Sequence, residues 1–305
     1  MSEERIMNRP GAAATLFCFE RRIGKRYFLS VADAVESLGI IAGNRSLPFM
    51  LARQARAMGV KRLVAVGFEK ETDPALADLV DEMEWQKVGQ LGKLSQAFTK
   101  RDVKQCVMVG QIAPSNLFDL RPDFRAMALL WRLKEKNAHT IFGGIADELA
   151  KDGVELISAL PWLEPLMPTA GFHLGPKLDE TAASDVKFGH RIAGEVSRLE
   201  IGQIVVVKEG TVLAVEGFEG TDKCLTRGGE LAGKKGGAVA VKVAKDGHDM
   251  RFDIPCIGER TVQTCADHGV RVLAFEAGRT LVLEENQVAE VCRKRKVTLT
   301  AIESA

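Results

Sequence analysis

An acidic, glycine-rich turn in the C-terminal half carries the first group of residues that could do chemistry. Residues 214–222 read AVEGFEGTD, so three acidic side chains and the hydroxyl of Thr221 stand close together in a turn after a predicted strand; the acidic residues are Glu216, Glu219 and Asp222. Carboxylates at such spacing can converge on a hard cation such as Mg²⁺, which prefers oxygen ligands. An acidic loop that faces solvent would have the same composition, so the pattern leaves both interpretations open.

A second group follows in residues 242–258, KVAKDGHDMRFDIPCIG, where basic and acidic side chains alternate. Residues two apart in an extended segment point to the same side, so Asp249, Arg251 and Asp253 would share one face. Together with Lys242, this row fits a site that holds a metal ion and neutralises phosphate charge. A surface ladder of salt bridges, each contributing about 0–1 kcal/mol, is the alternative.

A third group lies in residues 41–48, IAGNRSLP, between a predicted strand and a predicted helix. Backbone N–H groups and the positive end of the helix dipole suit a phosphate at such a turn. The segment is not G-x-G-x-x-G and no P-loop lysine follows, which argues against dinucleotide and Walker-type sites. A plain strand-to-helix turn would look the same.

Apolar runs that alternate with helical patterns place the third group in an α/β domain. Strands are predicted at 38–43, 61–68, 105–110 and 153–159, and helices at 49–58, 91–100, 124–135 and 140–151. Such strand–helix–strand units form parallel sheets with right-handed crossovers. We therefore predict a doubly wound, Rossmann-like parallel-sheet domain over residues 38–165.

The remaining residues divide into three parts. Residues 1–37 look unlike the rest and are taken as an N-terminal extension, and the proline-rich residues 166–181 are taken as a linker. Residues 182–305 begin with a helix and continue with short β-rich runs and tight turns, including hairpin turns at 208–211 and 276–279. The predicted fold class is thus α/β, with an N-terminal Rossmann-like domain and a C-terminal mixed α+β catalytic domain.

Composition limits the possible classes of function. The 305 residues carry 42 Lys and Arg against 41 Asp and Glu, a balance that argues against non-specific binding of nucleic acid. No apolar run approaches the roughly 18 residues of a membrane span, and the N-terminus does not read as a signal peptide. The six cysteines show no metal-binding spacing, which predicts reduced thiols. We expect a cytoplasmic protein.

Four stretches of the chain resemble one known family. They are IAGNRSLP (41–48), VGQLGK (88–93), LEIGQIVVVKEGTVLAVEGFEGTD (199–222) and RFDIPCIGERTV (251–262), in matching order and spacing. On these motifs the chain resembles the LpxI-type UDP-2,3-diacylglucosamine pyrophosphatases of lipid A synthesis, from about residue 38 to the end. The first 37 residues lie outside this resemblance.

The resemblance implies an active site at a cleft between the two domains. It places the essential aspartate of the family's R-x-D-x-P motif on Asp253. The predicted catalytic residues are Asp253, Lys242, Thr221, Asp222 and Arg251. The predicted substrate-binding residues are Gly43, Asn44, Arg45, Ser46, Lys93, Glu219 and His248, and the predicted metal ligands are Asp253, Asp222, Glu219 and Asp249. In two places the sequence departs from the family: Asn44 and Arg45 replace smaller residues, and His248 stands where glutamine is frequent.

The same resemblance implies a reaction and its partners. It implies Mg²⁺ or another divalent cation such as Mn²⁺, and hydrolysis of the pyrophosphate to UMP and 2,3-diacylglucosamine 1-phosphate (lipid X). The expected partner is a lipid-linked UDP-sugar, with transient contact to the inner face of the inner membrane and no nucleic acid; a homodimer is left open.

Three other functions are weighed against this one. A non-catalytic sensor of lipid X or of the UDP-sugar would bind tightly without metal-dependent release of UMP. A hydrolase or transferase acting on a different nucleotide sugar would not require the acyl chains. An NAD-dependent oxidoreductase is suggested by the doubly wound domain alone, and fold is weak evidence for function.

Overall fold

The computed structural model of the protein describes residues 35–112, 122–135, 138–244, 251 and 254–303, and leaves out the side chains of residues 138 and 139. Within these residues the N-terminal half forms a sheet of five parallel strands in the order β3-β2-β1-β4-β5. The strands are β1 (Ser37–Ala42), β2 (Arg62–Phe68), β3 (Glu82–Gln86), β4 (Gln105–Val109) and β5 (Glu155–Leu156). Residues 1–34 of the predicted extension lie outside the described residues.

Helices cover both faces of this sheet. They are α1 (Leu47–Ala57), α2 (Leu91–Thr99), α3 (Phe124–Arg132), α4 (Ala138–Lys151) and α5 (Leu160–Leu163). The central strand β1 is apolar on both sides, because Leu38 and Ile40 enter the core under α1 and α5 while Ile41 enters the core under α2, α3 and α4. A strand buried on both faces is typical of parallel α/β sheets.

The C-terminal half forms a mixed sheet of six strands in the order β6-β13-β11-β9-β7-β8. Its strands are β6 (His173–Leu174), β7 (Ile204–Lys208), β8 (Thr211–Val215), β9 (Ala238–Lys242), β11 (Val270–Glu276) and β13 (Thr298–Ile302). Strands β9, β11 and β13 are parallel, and β7 runs antiparallel to both β8 and β9. Helix α6 (Glu180–Arg198) packs on one face, and α7 (Thr221–Leu231), α8 (Glu259–Asp267) and α9 (Glu285–Arg295) pack on the other.

A short two-stranded ribbon lies between the two cores. Strands β10 (Cys256–Ile257) and β12 (Leu281–Val282) pair in parallel. Cys256 and Leu281 pack into the N-terminal core, whereas Ile257 and Val282 pack into the C-terminal core. Because alternate residues of a strand face opposite sides, the ribbon presents one face to each half of the protein.

The predicted fold class is confirmed, and some local predictions are wrong. The hairpin at 276–279 is not formed, because β12 pairs with β10 instead of β11. The strand predicted at 153–159 is limited to β5, since the chain enters helix α5 at Leu160. Strand β6 lies in the segment that we predicted as a linker.

Two further observations bear on the expectations from composition. In the part of the chain that the structure describes, no disulfide is formed, and burial raises the pKa of the Cys224 thiol to about 12. None of the helices in that part is both long and apolar enough to cross a membrane.

Candidate active site

The carboxyl edge of the C-terminal sheet gathers most of the predicted catalytic residues that the structure describes. Strand β9 ends at this edge with Lys242, and β8 ends there just before Glu216. Helix α7 begins at Thr221 with its N-terminus at the same edge. Carboxyl ends of strands and N-termini of helices are the usual place for phosphate ligands in α/β proteins.

Lys242 supplies a buried positive charge. Its residue is 5% exposed, and its Nζ donates a hydrogen bond to the carbonyl oxygen of Cys256 at 3.0 Å. A carbonyl is a neutral acceptor, so this hydrogen bond does not pair the lysine with a negative charge. In a water-poor environment that charge acts on an anion more strongly than it would in water.

Thr221 is oriented by the buried carboxylate of Glu216, which was not among the predicted site residues. The Thr221 hydroxyl donates to Glu216 Oε1 at 2.8 Å, and Glu216 Oε2 accepts from the backbone N–H of Gln203 at 2.9 Å. Glu216 is 6% exposed. Its signal in the sequence was the first acidic position of the turn, but nothing in the spacing separated this buried carboxylate from its exposed neighbours.

Glu219 and Asp222, the described members of the predicted metal set, each pair with an arginine. Glu219 Oε1 accepts from Arg227 at 2.6 Å, and this hydrogen bond holds the pKa of Glu219 below its usual range. Asp222 lies 3.0 Å from a guanidinium nitrogen of Arg260, at the start of α8. Arg227 was missed because helix α7, which carries it, was not predicted. Arg260 was missed because the packing of α8 brings it to Asp222 from a distant part of the sequence.

Of the remaining members of the second group, the structure describes Arg251. Asp253, Asp249 and His248 lie outside the described residues. Arg251 is described in a turn and is engaged in an interaction, and the nearby Ile254 packs against the N-terminal core. Among the residues that the structure does describe, no three His, Cys, Asp or Glu side chains are grouped so that they could hold a metal ion.

Glu276 is the last residue of β11 and lies at the same edge, but its side chain is on the opposite face of the sheet, towards α6. Its Oε2 accepts the backbone N–H of Ala244 at 2.7 Å, and its Oε1 lies 3.3 Å from Nε2 of His190 in α6. It therefore anchors the chain where it leaves β9, just after Lys242, rather than facing the lysine. Glu276 was not among the predicted site residues; the only signal in the sequence was an acidic residue at the end of a buried strand.

The third predicted group forms a tight loop at the carboxyl edge of the N-terminal sheet. A Cβ on Gly43 would come within 2.4 Å of the Gln111 carbonyl oxygen, so only glycine fits there. Asn44 donates from its backbone to Gln111 O at 2.7 Å and from its side chain to Glu71 Oε2 at 2.6 Å. These hydrogen bonds join the loop after β1 to the residues that follow β4 and β2, and they hold the turn at the end of β1 in place.

Three other residues that were predicted to contact the substrate lie at this same carboxyl edge of the N-terminal sheet. Arg45 is exposed and adopts a left-handed backbone, with φ of 67°. Ser46 occupies the N-cap position of α1 and makes no side-chain capping bond. Lys93 is exposed in the first turn of α2. The basic side chains of Arg45 and Lys93 thus belong to the N-terminal half, whereas Lys242 and Thr221 belong to the C-terminal half.

Comparisons with known proteins agree across the whole described chain. The sequence profile of the LpxI N-terminal domain matches residues 37–166, and that of the LpxI C-terminal domain matches residues 169–300. The chain is 30% identical over 270 residues to the UDP-2,3-diacylglucosamine pyrophosphatase LpxI of Caulobacter vibrioides, covering 83% of this chain and 93% of that protein.

Among solved structures, the chain is similar to N5-carboxyaminoimidazole ribonucleotide synthetase from Thermotoga maritima. That similarity has a TM-score of 0.21 and 15% identity, and covers 61% of this chain and 42% of the other. It is too weak to inform the function. The two profile matches together span nearly all of the chain beyond residue 36. The chain therefore belongs to the LpxI family.

Proposed function

We propose that this chain hydrolyses the pyrophosphate of UDP-2,3-diacylglucosamine to UMP and 2,3-diacylglucosamine 1-phosphate (lipid X), in lipid A synthesis. The observation that carries the proposal is membership of the LpxI family over both domains, with a relative whose name states this activity. Water adds to one phosphorus, the bond from that phosphorus to the bridging oxygen breaks, and both products leave as phosphate monoesters. This reaction requires charge neutralisation and a positioned water molecule.

Lys242 is the described residue best suited to neutralise phosphate charge. Its ammonium is buried at the sheet edge where α7 also begins, and its hydrogen bond to Cys256 O fixes its position without pairing it with a negative charge. The positive end of the α7 dipole adds to the same field. We assign charge stabilisation in the transition state to Lys242 and, from the sequence, to Arg251.

Thr221 is suited to orient a water molecule. Its hydroxyl proton is committed to Glu216, so the Thr221 oxygen keeps its acceptor capacity. It can accept a hydrogen bond from water at the end of the helix. Asp253, which the resemblance places in the family's essential position, is proposed as the residue that aligns this water and accepts its proton.

A divalent cation remains part of the proposal. Carboxylate oxygens are the ligands that Mg²⁺ and Mn²⁺ prefer, and Asp222 presents such oxygens at this edge, although one of them is paired with Arg260. The described carboxylates do not form a complete ligand set, so Asp249 and Asp253 would have to complete it with Asp222 and Glu219. Such a cation would neutralise phosphate charge and polarise the bond that breaks.

The N-terminal loop is proposed to bind the substrate from the other half of the protein. Gly43, Asn44 and Ser46 would supply polar groups at the start of α1, and Arg45 and Lys93 would supply positive charge. His248 keeps its predicted role as a substrate contact. The two acyl chains hold the substrate in a bilayer, so we place the reaction in the cytoplasm at the inner face of the inner membrane. A homodimer stays a prediction.

The test is direct assay of both products. The purified chain is incubated with UDP-2,3-diacylglucosamine and Mg²⁺, with and without EDTA, and UMP and lipid X are separated by chromatography. Metal-dependent appearance of both is expected, with a loss of about 100-fold or more in the Asp253→Asn variant. Asp246→Asn, an acidic neighbour in the same segment, is the matched control and should retain activity.

Three outcomes would contradict the proposal or part of it. Full activity of Asp253→Asn would remove that residue from the reaction. Tight binding of the substrate with no release of UMP would favour the non-catalytic sensor, and equal rates on a deacylated UDP-sugar would favour a different nucleotide-sugar hydrolase.

A further inference from the structure

Helix α3 exposes a large apolar face. Phe124 and Trp131 are 86% and 85% exposed, and Met127 is 39% exposed. Residues three, four and seven apart lie on the same side of a helix, so these three side chains form one surface, called here the α3 face. Clustered exposed aromatic residues mark an interaction surface more often than single ones do.

Contacts between the opposite side of α3 and helix α4 keep the α3 face exposed. Leu129 is buried against α4, where a Cβ on Gly144 would come within 2.5 Å of Leu129 Cδ1. Arg125 and Arg132 both form ion pairs with Glu148 of α4, with Arg125 Nε 2.8 Å from Glu148 Oε2. Rotating the helix to bury the aromatic residues would break this packing and both ion pairs.

The α3 face begins beside the substrate edge of the N-terminal sheet. Asp123, the N-cap of α3, accepts a hydrogen bond from Gly92 N at 2.7 Å and donates its own N–H to Gly89 O at 3.1 Å. Gly89 and Gly92 belong to the loop and first turn that follow β3, at the same edge as the loop of Gly43. Phe124 is the next residue, so the apolar face continues from the edge proposed to bind the substrate.

We propose that the α3 face docks the protein onto the surface of the bilayer that contains its substrate. This inference rests on the proposed function, since a diacylated sugar nucleotide is retained in the bilayer by its acyl chains. Aromatic side chains on one side of a surface helix suit the headgroup region. Helix α3 contains no acidic residue between Phe124 and Arg132, so the helix itself adds no negative charge that would repel anionic headgroups.

The size of the α3 face favours a bilayer over a second copy of the chain. Three side chains with these exposures present roughly 450 Å² of apolar surface, because a large aromatic residue buries about 150–250 Å². A stable protein interface buries about 800 Å² on each partner. A bilayer has no such minimum, because it needs only shallow insertion of a few apolar groups that add to electrostatic attraction.

The first measurement is vesicle flotation of the full chain. Vesicles of phosphatidylethanolamine and phosphatidylglycerol are mixed with the wild type, with the double variant Phe124→Gln/Trp131→Gln, and with Leu231→Gln. Leu231 is an exposed leucine at the end of α7 and serves as the control. The wild type and the control should float with the vesicles, whereas the double variant should partition about tenfold less.

The second measurement separates docking from catalysis. With substrate dispersed in detergent, the double variant should release UMP within about twofold of the wild-type rate, but with substrate in vesicles it should be about tenfold slower. Flotation of the double variant equal to wild type would overturn the proposal, and so would an equal loss of activity in detergent. A dimer in sedimentation that only the double variant disrupts, without any flotation, would assign the face to a second copy. If no form releases UMP in detergent, the proposed function fails while flotation still decides the docking.

Discussion

Two lysines close buried strands of the C-terminal sheet and form a natural comparison at the residue scale. Lys242 ends β9 and donates to Cys256 O at 3.0 Å, whereas Lys208 ends β7 and donates to Ala232 O at 2.9 Å. Because β7 and β9 are antiparallel, the two lysines lie at opposite edges of the sheet. Both donate to a backbone carbonyl, but Lys242 is buried at the sheet edge where α7 begins, whereas Lys208 is half-buried and bonds the C-cap residue at the end of α7.

Replacing each lysine by methionine keeps the aliphatic stem and removes the charge. Lys242→Met should lower kcat about 100-fold, since a preorganised charge at a transferring phosphoryl group contributes a few kcal/mol. Lys208→Met should change kcat by less than about twofold while losing a similar hydrogen bond. Rates of UMP release, compared at equal folded fraction from circular dichroism, measure both. An equal loss of rate in the two variants would mean that Lys242 acts only through stability.

Glu216 is expected to act through Thr221, as a positioning residue. In Glu216→Gln, one carboxylate acceptor becomes an amide donor that faces either the Thr221 hydroxyl or the Gln203 N–H. We expect kcat to fall about tenfold and stability to fall by about 1–3 kcal/mol, the usual result of an unsatisfied buried polar group. The control is Glu230→Gln, an exposed glutamate on α7, the helix that carries Thr221.

A double-mutant cycle distinguishes positioning from general destabilisation. If Glu216 works by orienting the hydroxyl, Glu216→Gln should lower kcat little further in a Thr221→Val background. Losses of kcat that simply multiply in the double variant would argue that the two residues act independently.

At the scale of elements, the strands of the N-terminal sheet are predicted best from the sequence where their apolar runs are continuous. Strands β1, β2 and β4 are buried runs and were found within about two residues, the usual uncertainty of element ends. Strand β3 reads EMEWQ and was missed, because it is an edge strand whose Glu82 and Glu84 form ion pairs with Arg101. Alternating charges that pair with an arginine in the turn after α2 leave no apolar run to detect.

Helix α7 was missed for a different reason. Its sequence TDKCLTRGGEL contains two adjacent glycines, which disfavour a helix. Both are required by close packing, since a Cβ on Gly228 would lie 2.6 Å from Val206 Cβ and one on Gly229 would lie 2.0 Å from His268 O. The missed helix also hid a feature of the site, because Thr221 and Asp222 were read as turn residues while they form its first turn.

For the described candidate residues, the sequence could indicate which lie near strand ends, but it could not indicate their contacts. The motifs of Thr221, Asp222 and Lys242 stand at strand ends, and topology then brings them to one edge of the sheet. Their partners Glu216 and Arg260 are fixed by the packing of α7 and α8, which no local pattern reports. Tertiary contacts of this kind need the folded chain.

The pairing of α3 with α4 through Glu148 should make stability depend on pH. Hydrogen bonds from Lys151 and Arg125 lower the pKa of Glu148 from 4.5 to about 2. A lowered pKa stabilises the fold above about pH 4.5, and this contribution is lost as the pH falls towards 2. Arg132 and Lys151 are half exposed, so solvent screening limits the contribution to about 1–2 kcal/mol.

Urea unfolding at pH values between 6 and 2.5 measures this contribution. The wild type should lose about 1–2 kcal/mol more across that range than Glu148→Gln, which carries no titrating group at the position. Glu148→Gln should also be the less stable protein at pH 6. Parallel pH profiles of the two proteins would show that the ion pairs contribute nothing measurable.

At the scale of the whole molecule, the β10–β12 ribbon links the two halves to the site. Leu281 is fully buried in the N-terminal core, and Val282 next to it is buried in the C-terminal core. The paired strand β10 supplies the Cys256 carbonyl that positions Lys242. Packing in the N-terminal half is thereby transmitted to a predicted catalytic residue of the C-terminal half.

Leu281→Ala should consequently affect both cooperativity and catalysis. Removing a buried leucine costs about 2–5 kcal/mol, and here the cavity opens at the junction, so the two halves should unfold in separate transitions. The matched control is Leu225→Ala, an equally buried leucine of α7 that packs only in the C-terminal core. Calorimetry should show two resolved transitions for Leu281→Ala and, for Leu225→Ala, a shifted profile without a new separation between the halves.

With the ribbon loosened, kcat of Leu281→Ala should fall below that of Leu225→Ala at equal folded fraction, because the Cys256 carbonyl no longer holds Lys242. A single shifted transition with wild-type kcat would mean that the ribbon is only a packing contact.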